Sequence, residues 1–475
     1  MKQKSLPHRL SGSRVGCSLS LLAVLAGFVW SAACAQASEA MLNAVQAADL
    51  ALVRRLLAAE PASAHMPNRY GVTPLALACT NGDSATVDVL LAAGADANRA
   101  LLGGETPLMT AARTGRISVV TSLLAHGAVV DAKLPSGQTA LMWAAAEGHT
   151  AVVAALIAAK ADVTAQVPTG LNALLFAVRA GHIETVRVLL KTGLDINAVT
   201  APTKTGNKLP KRGNSALTLA VENGHFEVAS VLLDLGAVPN DLRSGYAPLH
   251  ILAWIRKPDI GEDEGDPIPE DHGNVTSEQL IRKLVAHGAD VNLRLTGGPS
   301  GGGRINRKGC TPFMLAADTA DLAFMKLLVE LGADPKITNV DGCTPLMAAA
   351  GLGTRSAEEE AGTDEEAVAA CNYLLGLGAD IDAVSKNGDT AMHGAGFANF
   401  PKVVKFLDAK GAKIEIWNQK NQRGWTPLLV AEGHRYGNFK PSFETIAAFH
   451  EVMRSHGLTP PEPTPPVAEI GYKQL

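Results

Sequence analysis

Apolar positions along this chain come in short paired bursts rather than long runs. Thr73-Pro74-Leu75-Ala76-Leu77-Ala78 opens one burst, and Val87, Leu90 and Leu91 form a second at helical spacing. Thr73 suits an N-cap, and Pro74 suits the first helical position, where an amide donor is not needed. The pattern predicts a short helix from Leu75 to Thr80, ending near Asn81-Gly82, and a second from Ser84 to Ala93. Gly94 stands where a left-handed cap stops the second helix, and Asp96-Ala97-Asn98 leads into a turn.

The bursts recur. Thr-Pro-Leu or a variant begins at Thr73, Thr106, Thr139, Asn172, Ser215, Ala247, Thr311, Thr344, Thr390 and Thr426, and the first three intervals are 33 residues each. A glycine follows 21 residues later at Gly94, Gly127, Gly193, Gly236, Gly332 and Gly411. Two markers in fixed phase define a repeat array. One such helix pair cannot bury its own apolar face, whereas stacked neighbours bury it together. Ala40 to Ala59 reads as a degenerate first unit and N-terminal cap, without Thr-Pro and with Pro61 where the glycine belongs, which gives about eleven units.

With Thr106-Pro107-Leu108, Ala144-Ala145-Ala146-Glu147-Gly148-His149, Val186-Arg187-Val188-Leu189-Leu190 and Gly288-Ala289-Asp290-Val291-Asn292, the chain resembles the ankyrin-repeat family over roughly residues 39 to 458. The resemblance implies an all-α fold: an ankyrin-repeat solenoid of about eleven helix pairs, with short β-turn fingers and several loop insertions. It also implies binding to a protein partner rather than enzymatic activity. Some exported bacterial ankyrin proteins are linked to periplasmic redox or catalase systems, and this chain is similar in overall plan. Two functions therefore stand side by side: a protein-binding scaffold acting through its concave face, and an accessory subunit of a periplasmic redox or catalase system.

Residues 1–37 read as a signal peptide. Lys2, Lys4, Arg9 and Arg14 precede an apolar stretch from Val15 to Trp30, and Ala35-Gln36-Ala37 is a small-residue cleavage site. Cleavage after Ala37 predicts a periplasmic or secreted protein; the rival reading is lipid modification at Cys34. Residues 38–458 form the expected solenoid, and 459–475, with Pro460, Pro461, Pro463, Pro465 and Pro466, an extended tail. The net charge of −4 becomes more negative once the four N-terminal cations are removed, which argues against nucleic acid as a partner. After Trp30 no apolar run reaches the ~18 residues of a membrane span. A monomer without a membrane span, binding a protein, is the expectation.

Departures from the repeat length mark insertions. A basic stretch with Lys204, Lys208, Lys211 and Arg212 lengthens the turn before Ser215, and Gly297 to Gly303 lengthen the turn before Thr311. Three further insertions fall between the paired helices of units 7, 9 and 11, the first carrying Glu262, Asp263, Glu264 and Asp266. Extra length at one position in alternate units suggests a decorated edge; exposed loops also tolerate length at little cost.

Candidate chemistry is sparse, and no cofactor or metal is expected. Gly298-Pro299-Ser300-Gly301-Gly302 fits the serine-hydrolase elbow, but no strong strand precedes it. His450-Glu451 opens a zinc-protease pattern that fails where Arg454 replaces the second histidine. His149, His182 and His225 recur in phase, and a spacing of ~10 Å between units makes them structural rather than a metal site. The same spacing predicts free thiols at Cys310 and Cys343. The acidic stretch from Asp259 to Asp271 lacks calcium-loop spacing.

Binding is expected where turn tips and first helices share a face. One register of the first helices carries Leu77, Thr110, Trp143, Phe176 and Leu219, and Arg113 and Arg179 lie three residues after Thr110 and Phe176. Arg and Trp are enriched among residues that dominate binding energy. Arg113, Trp143, Phe176 and Arg179 are the candidate protein-binding residues; the same aromatics also suit space-filling between units.

Overall fold

A computed structural model describes residues 38–202, 213–258, 273–297, 305–357, 359–437 and 440–462. The Thr-Pro marker is a helix start for a local reason. The side-chain oxygens of Thr73, Thr106, Thr139, Thr311, Thr344 and Thr426 accept the amide three residues on, at 3.1–3.3 Å, and Asn172 and Ser215 do the same in their units. The second marker is left-handed: Gly94 has φ +88°, and where unit 4 lacks the glycine, Lys160 takes the position at φ +69°.

Among the described residues the helices fall into eleven consecutive pairs. Unit 1 is 38–46 with Leu50–Ala59, and unit 2 is Pro74–Asn81 with Ser84–Ala92, each end of which lies within a residue of the predicted one. Unit 3 is Pro107–Arg113 and Ile117–Ala125; unit 4, Ala140–Ala146 and Thr150–Ala158; unit 5, Ala173–Arg179 and Ile183–Leu190. Unit 6 is Ala216–Glu222 and Phe226–Asp234; unit 7, Pro248–Arg256 and Ser277–Ala286; unit 8, Pro312–Asp318 and Leu322–Glu330. Unit 9 is Pro345–Ala349 and Asp364–Gly376; unit 10, Ala391–Ala398 and Pro401–Ala409; unit 11, Pro427–Ala431 and Phe443–Ser455. Short helical turns at Pro61–His65 and Ile414–Trp417 follow units 1 and 10.

The chain divides into two bodies, Met1–Val167 and Pro168–Leu475. Within each, first helices pack on first helices and second helices on second helices of the neighbouring unit. First helices are alanine-rich, with Ala111, Ala112, Ala144 and Ala145 fully buried, so their backbones approach closely. Second helices supply bulk through Val87, Leu90, Val120, Leu123, Val153 and Leu156. Each buried leucine contributes about 2 kcal/mol by area removed from water.

Between units the chain makes fingers closed by tight turns. In the N-terminal body Leu101 N–H donates to Glu105 O and Gly104 N–H to Leu101 O; in the C-terminal body Asn421 N–H donates to Trp425 O and Gly424 N–H to Asn421 O. Neighbouring fingers are joined by Val340 N–H to Lys308 O, Lys386 N–H to Asp341 O, and Gln422 N–H to Asn387 O. Among the described residues the only bridge of sheet type outside a strand is antiparallel, between Val199 and Ser215. It closes the base of the finger that carries the basic insertion, while Lys204 to Arg212 themselves lie outside the described residues.

Side chains tie the turns of successive units. Asn98 Oδ1 accepts Val129 N–H at 2.7 Å while its amide donates to Gly127 O at 3.0 Å. Asn197, Asn240 and Asn292 repeat this double clamp on the following turns, and Asp382 accepts Lys413 N–H at 2.8 Å.

The insertions of units 9 and 11 differ from the expected lengthened loops. Part of the extra length is helix: both second helices run 13 residues, against 8 to 10 in the other units from 2 onward. Thr363 and Glu366 form a capping box, and Asp364, Glu365 and Glu366 place three carboxylates in the first turn, favouring an early start. The remaining loops are packed. Gly353 lies against Ile305, and Gly437 against the Arg355 backbone.

Candidate protein-binding surface

In the N-terminal body, Arg113 ends the first helix of unit 3 and Trp143 sits mid-helix in unit 4. The structure brings them together, with the guanidinium 5.9 Å from the indole centroid. Glu105, on the preceding finger, holds the arginine at 3.2 Å and accepts Thr110 Oγ1–H at 2.9 Å. Trp143 is half-buried, and its indole N–H is buried without a partner among the described residues. Solvent therefore meets the ring, with Arg113 beside it, rather than the polar edge. A cation over an indole face is worth about 0.5–1 kcal/mol when exposed.

In the C-terminal body, Arg179 lies 5.2 Å from the Phe176 centroid, and both belong to one helix. Phe176 is only 7% exposed, so a partner on this face meets Arg179 rather than the ring. At the same register Thr110 and Leu219 are buried and Leu77 is half-buried, so Trp143 is the aromatic this register leaves open. Both arginines also receive a histidine bond through their carbonyls. His149 Nε2 donates to Arg113 O at 3.0 Å and His225 Nε2 to Arg179 O at 2.8 Å. His149, His182 and His225 each stand at the N-terminal edge of a second helix, the structural position their phase indicated.

Sequence reasoning missed a third cluster, at the last finger. The exposed Arg423 guanidinium lies 5.6 Å from the Trp425 centroid and 4.8 Å from that of Tyr436, and the two rings meet edge to face at 5.6 Å. Trp425 immediately precedes the Thr426 cap, and Tyr436 comes from the lengthened loop of unit 11. The available signal was an Arg-x-Trp at a turn tip.

The loop edge is a packed structure with a groove. About 260 Å³ opens between units 8, 9 and 10, lined by Asp318, Thr354, Glu360, Asp364 and Asn399 among others. Its carboxylates have internal partners: Asp318 pairs with Arg307 at 2.8 Å, and Asp364 accepts the Lys402 and Val403 amides at 2.8 and 3.1 Å. Burial raises the Asp364 carboxyl above its ordinary range, opposed by those two bonds. Lys257 reaches Glu366 at 2.6 Å and Arg256 reaches Asp321 at 2.7 Å, tying unit 7 to units 9 and 8.

No group of three His, Cys, Asp or Glu among the described residues is placed to hold a metal. Cys79, Cys310, Cys343 and Cys371 are free and buried, and burial pushes each thiol up to about 12. The hydrolase-like Gly298 to Gly302 and the acidic Asp259 to Asp271 lie outside the described residues. Burial and the nearby Arg454 cation both lower His450. No helix among the described residues is long and apolar enough to cross a membrane.

A family model described as ankyrin repeats (3 copies) matches residues 41–134, 129–200 and 273–358, together more than half of the chain. A second, ankyrin repeats (many copies), matches residues 174–233. The SH3 and multiple ankyrin repeat domains protein 2 of Homo sapiens is 26% identical over 231 residues, 44% of this chain and 10% of that protein. The ankyrin repeat and SAM domain-containing protein 6 of Rattus norvegicus is 40% identical over 88 residues, 18% of this chain and 8% of that protein. The chain thus spans about a tenth of the length of the curated relatives it matches. Among solved structures, the human ASB11 ankyrin repeat domain is 21% identical with a TM-score of 0.43, covering 56% of this chain and 100% of that one. With the 33-residue phase, the paired helices and the family match in agreement, the chain belongs to the ankyrin-repeat family.

Proposed function

We propose that this chain is an exported scaffold that binds a protein partner through the face carrying its first helices, and that it works by binding rather than catalysis. The observation that carries the reading is the Arg113–Trp143 pair: a half-open indole beside a guanidinium, itself steadied by Glu105. Residue types that dominate interface energies stand there already oriented, so little side-chain freedom remains to be lost on binding. Export to the periplasm or beyond follows from the signal-like residues 1–37, with cleavage after Ala37. N-terminal sequencing of the processed protein should begin at Ser38; a lipid-modified N-terminal Cys34 would replace cleavage after Ala37.

The test places a photo-crosslinker beside Trp143, identifies the captured protein, and repeats the capture with Trp143→Ala and Arg113→Ala. Loss of capture by about thirtyfold, the effect of ~2 kcal/mol, is expected with thermal unfolding little changed. A protein that unfolds earlier while capturing as before would make the pair a packing contact. The identity of the captured protein separates a general scaffold from an accessory subunit of an oxidoreductase.

A further inference from the structure

The finger tips of the C-terminal body carry mostly positive charge. Arg294 and Lys308 lie on the finger entering unit 8, Lys386 on that entering unit 10, and Lys420 and Arg423 on that entering unit 11. All five are exposed, and none has a carboxylate within 4 Å among the described residues. The acids of the same fingers lie mostly away from the tips, and Asp290, Asp334 and Asp380 are exposed beside the ends of the second helices. Asp290 and Asp334 accept amides of their own turns, Asp382 accepts Lys413 N–H, and the buried Asp389 accepts the Asn421 side chain at 2.8 Å. Asp341, and Glu415 on the short helical turn before the last tip, are acidic groups that these fingers set against the five cations. The whole chain is net −4, so this run of positive charge runs against its composition.

Three of the cations are held in place without being neutralised. Arg294 donates to Thr338 O and Lys386 to Val340 O, each at 2.7 Å, and Arg423 lies against the Trp425 and Tyr436 rings. A guanidinium stacked on aromatic faces keeps its planar fork of donors, which matches a carboxylate. Fingers of adjacent units stand roughly 10 Å apart by helix-packing distances, and an extended peptide covers ~3.3 Å per residue. An acidic side chain at about every third residue of such a peptide meets one finger. Duplex DNA carries a charge every ~1.7 Å, far denser than these cations.

Resting on the scaffold reading above, we propose that the tips from Arg294 to Arg423 dock an extended acidic segment of a partner protein, with Arg423 as the anchoring carboxylate receptor. The probe is a labelled peptide of repeated Glu-Ser-Gly, with Gln-Ser-Gly as its neutral twin, titrated into the full chain. The glutamate peptide should bind with an affinity that falls with salt, and Arg423→Gln should weaken it about tenfold. Lys308→Gln combined with Lys420→Gln should weaken it comparably. Among the described residues these two side chains make no hydrogen bond, so that variant carries the test if Arg423→Gln folds poorly. Lys191→Gln and Lys326→Gln, at the end of and within second helices, serve as controls and should stay within about twofold.

No preference for glutamate over glutamine, or equal losses in tip and control variants, overturns the proposal. Tighter retention of duplex DNA or of phosphatidylserine vesicles than of the peptide overturns the choice of a polypeptide. Failure here with capture at Trp143 intact removes this inference alone. Failure of that capture with the peptide still bound removes the first-helix reading alone.

Discussion

Units 7 and 10 place a histidine at the same position of the first helix and satisfy it differently. His393 and His250 are both fully buried. His393 Nε2 faces Trp425 O at 3.2 Å, and its Nδ1 lies 3.0 Å from the Thr390 hydroxyl. His250 Nε2 likewise faces Leu293 O at 3.0 Å, but Ala247 stands where unit 10 has threonine, and Nδ1 has no hydrogen-bond partner among the described residues. With Nε2 donating, Nδ1 is an acceptor, and in unit 10 it is met by the Thr390 hydroxyl and by Thr390 N–H at 3.2 Å. Thr390 thus serves the histidine through both its hydroxyl and its amide, whereas Ala247 offers unit 7 neither a hydroxyl nor a side-chain cap.

The largest effect expected from this pair is at the better-satisfied site. His393→Ala should destabilise the C-terminal units by roughly 4 kcal/mol, combining a cavity with an unmet Trp425 carbonyl and Thr390 hydroxyl. His250→Ala should cost less, since it relieves one unmet nitrogen; equal losses in chemical denaturation would end the comparison. Acid probes the other side of it. Burial pushes His250 down to about 4, below the ordinary value of 6.5, so between those pH values the unfolded chain binds the extra proton. Its contribution is complete above pH 6.5 and is lost as pH falls towards 4, by up to about 3 kcal/mol. Hydrogen exchange across Pro248–Arg256 should accelerate through that window, and His250→Phe should flatten the profile; an unchanged profile would exclude His250 as its source. The smallest change sharpens the contrast. Ala247→Thr should add about 1 kcal/mol above pH 6.5 by restoring cap and donor together. A lower melting temperature would mean that the buried methyl at 247 leaves no room for threonine.

Features generated by local chemistry were legible in the sequence. The Thr-Pro cap, the glycine stop and the finger turns depend on a few adjacent residues, and so did the unit count. Site features depended on distant contacts and were less legible. Trp143 and Phe176 share a register, yet one is half-open and the other 7% exposed, a difference set by packing that spacing does not encode. Tyr436 reaches Trp425 only because its loop is pinned by the buried Arg435, which donates to the Gly396 and Phe397 carbonyls, and by Gly437 against Arg355. The finger-tip cations stand unpaired because the exposed acids Asp290, Asp334 and Asp380 lie back beside the ends of the second helices, and only Asp389 is buried.

The asparagine clamps between successive turns bear on how the array responds to load. Asn197, Asn240 and Asn292 each grip the following turn through two bonds, and Asp382 grips its neighbour through one. At the equivalent position of unit 8 stands Lys336, whose side chain makes no such bond. Between units 8 and 9 the turn clamp is therefore replaced by finger bonds, Lys386 N–H to Asp341 O and the Lys386 side chain to Val340 O. Under load that joint is held by its fingers, whereas its neighbours are held by their turns as well.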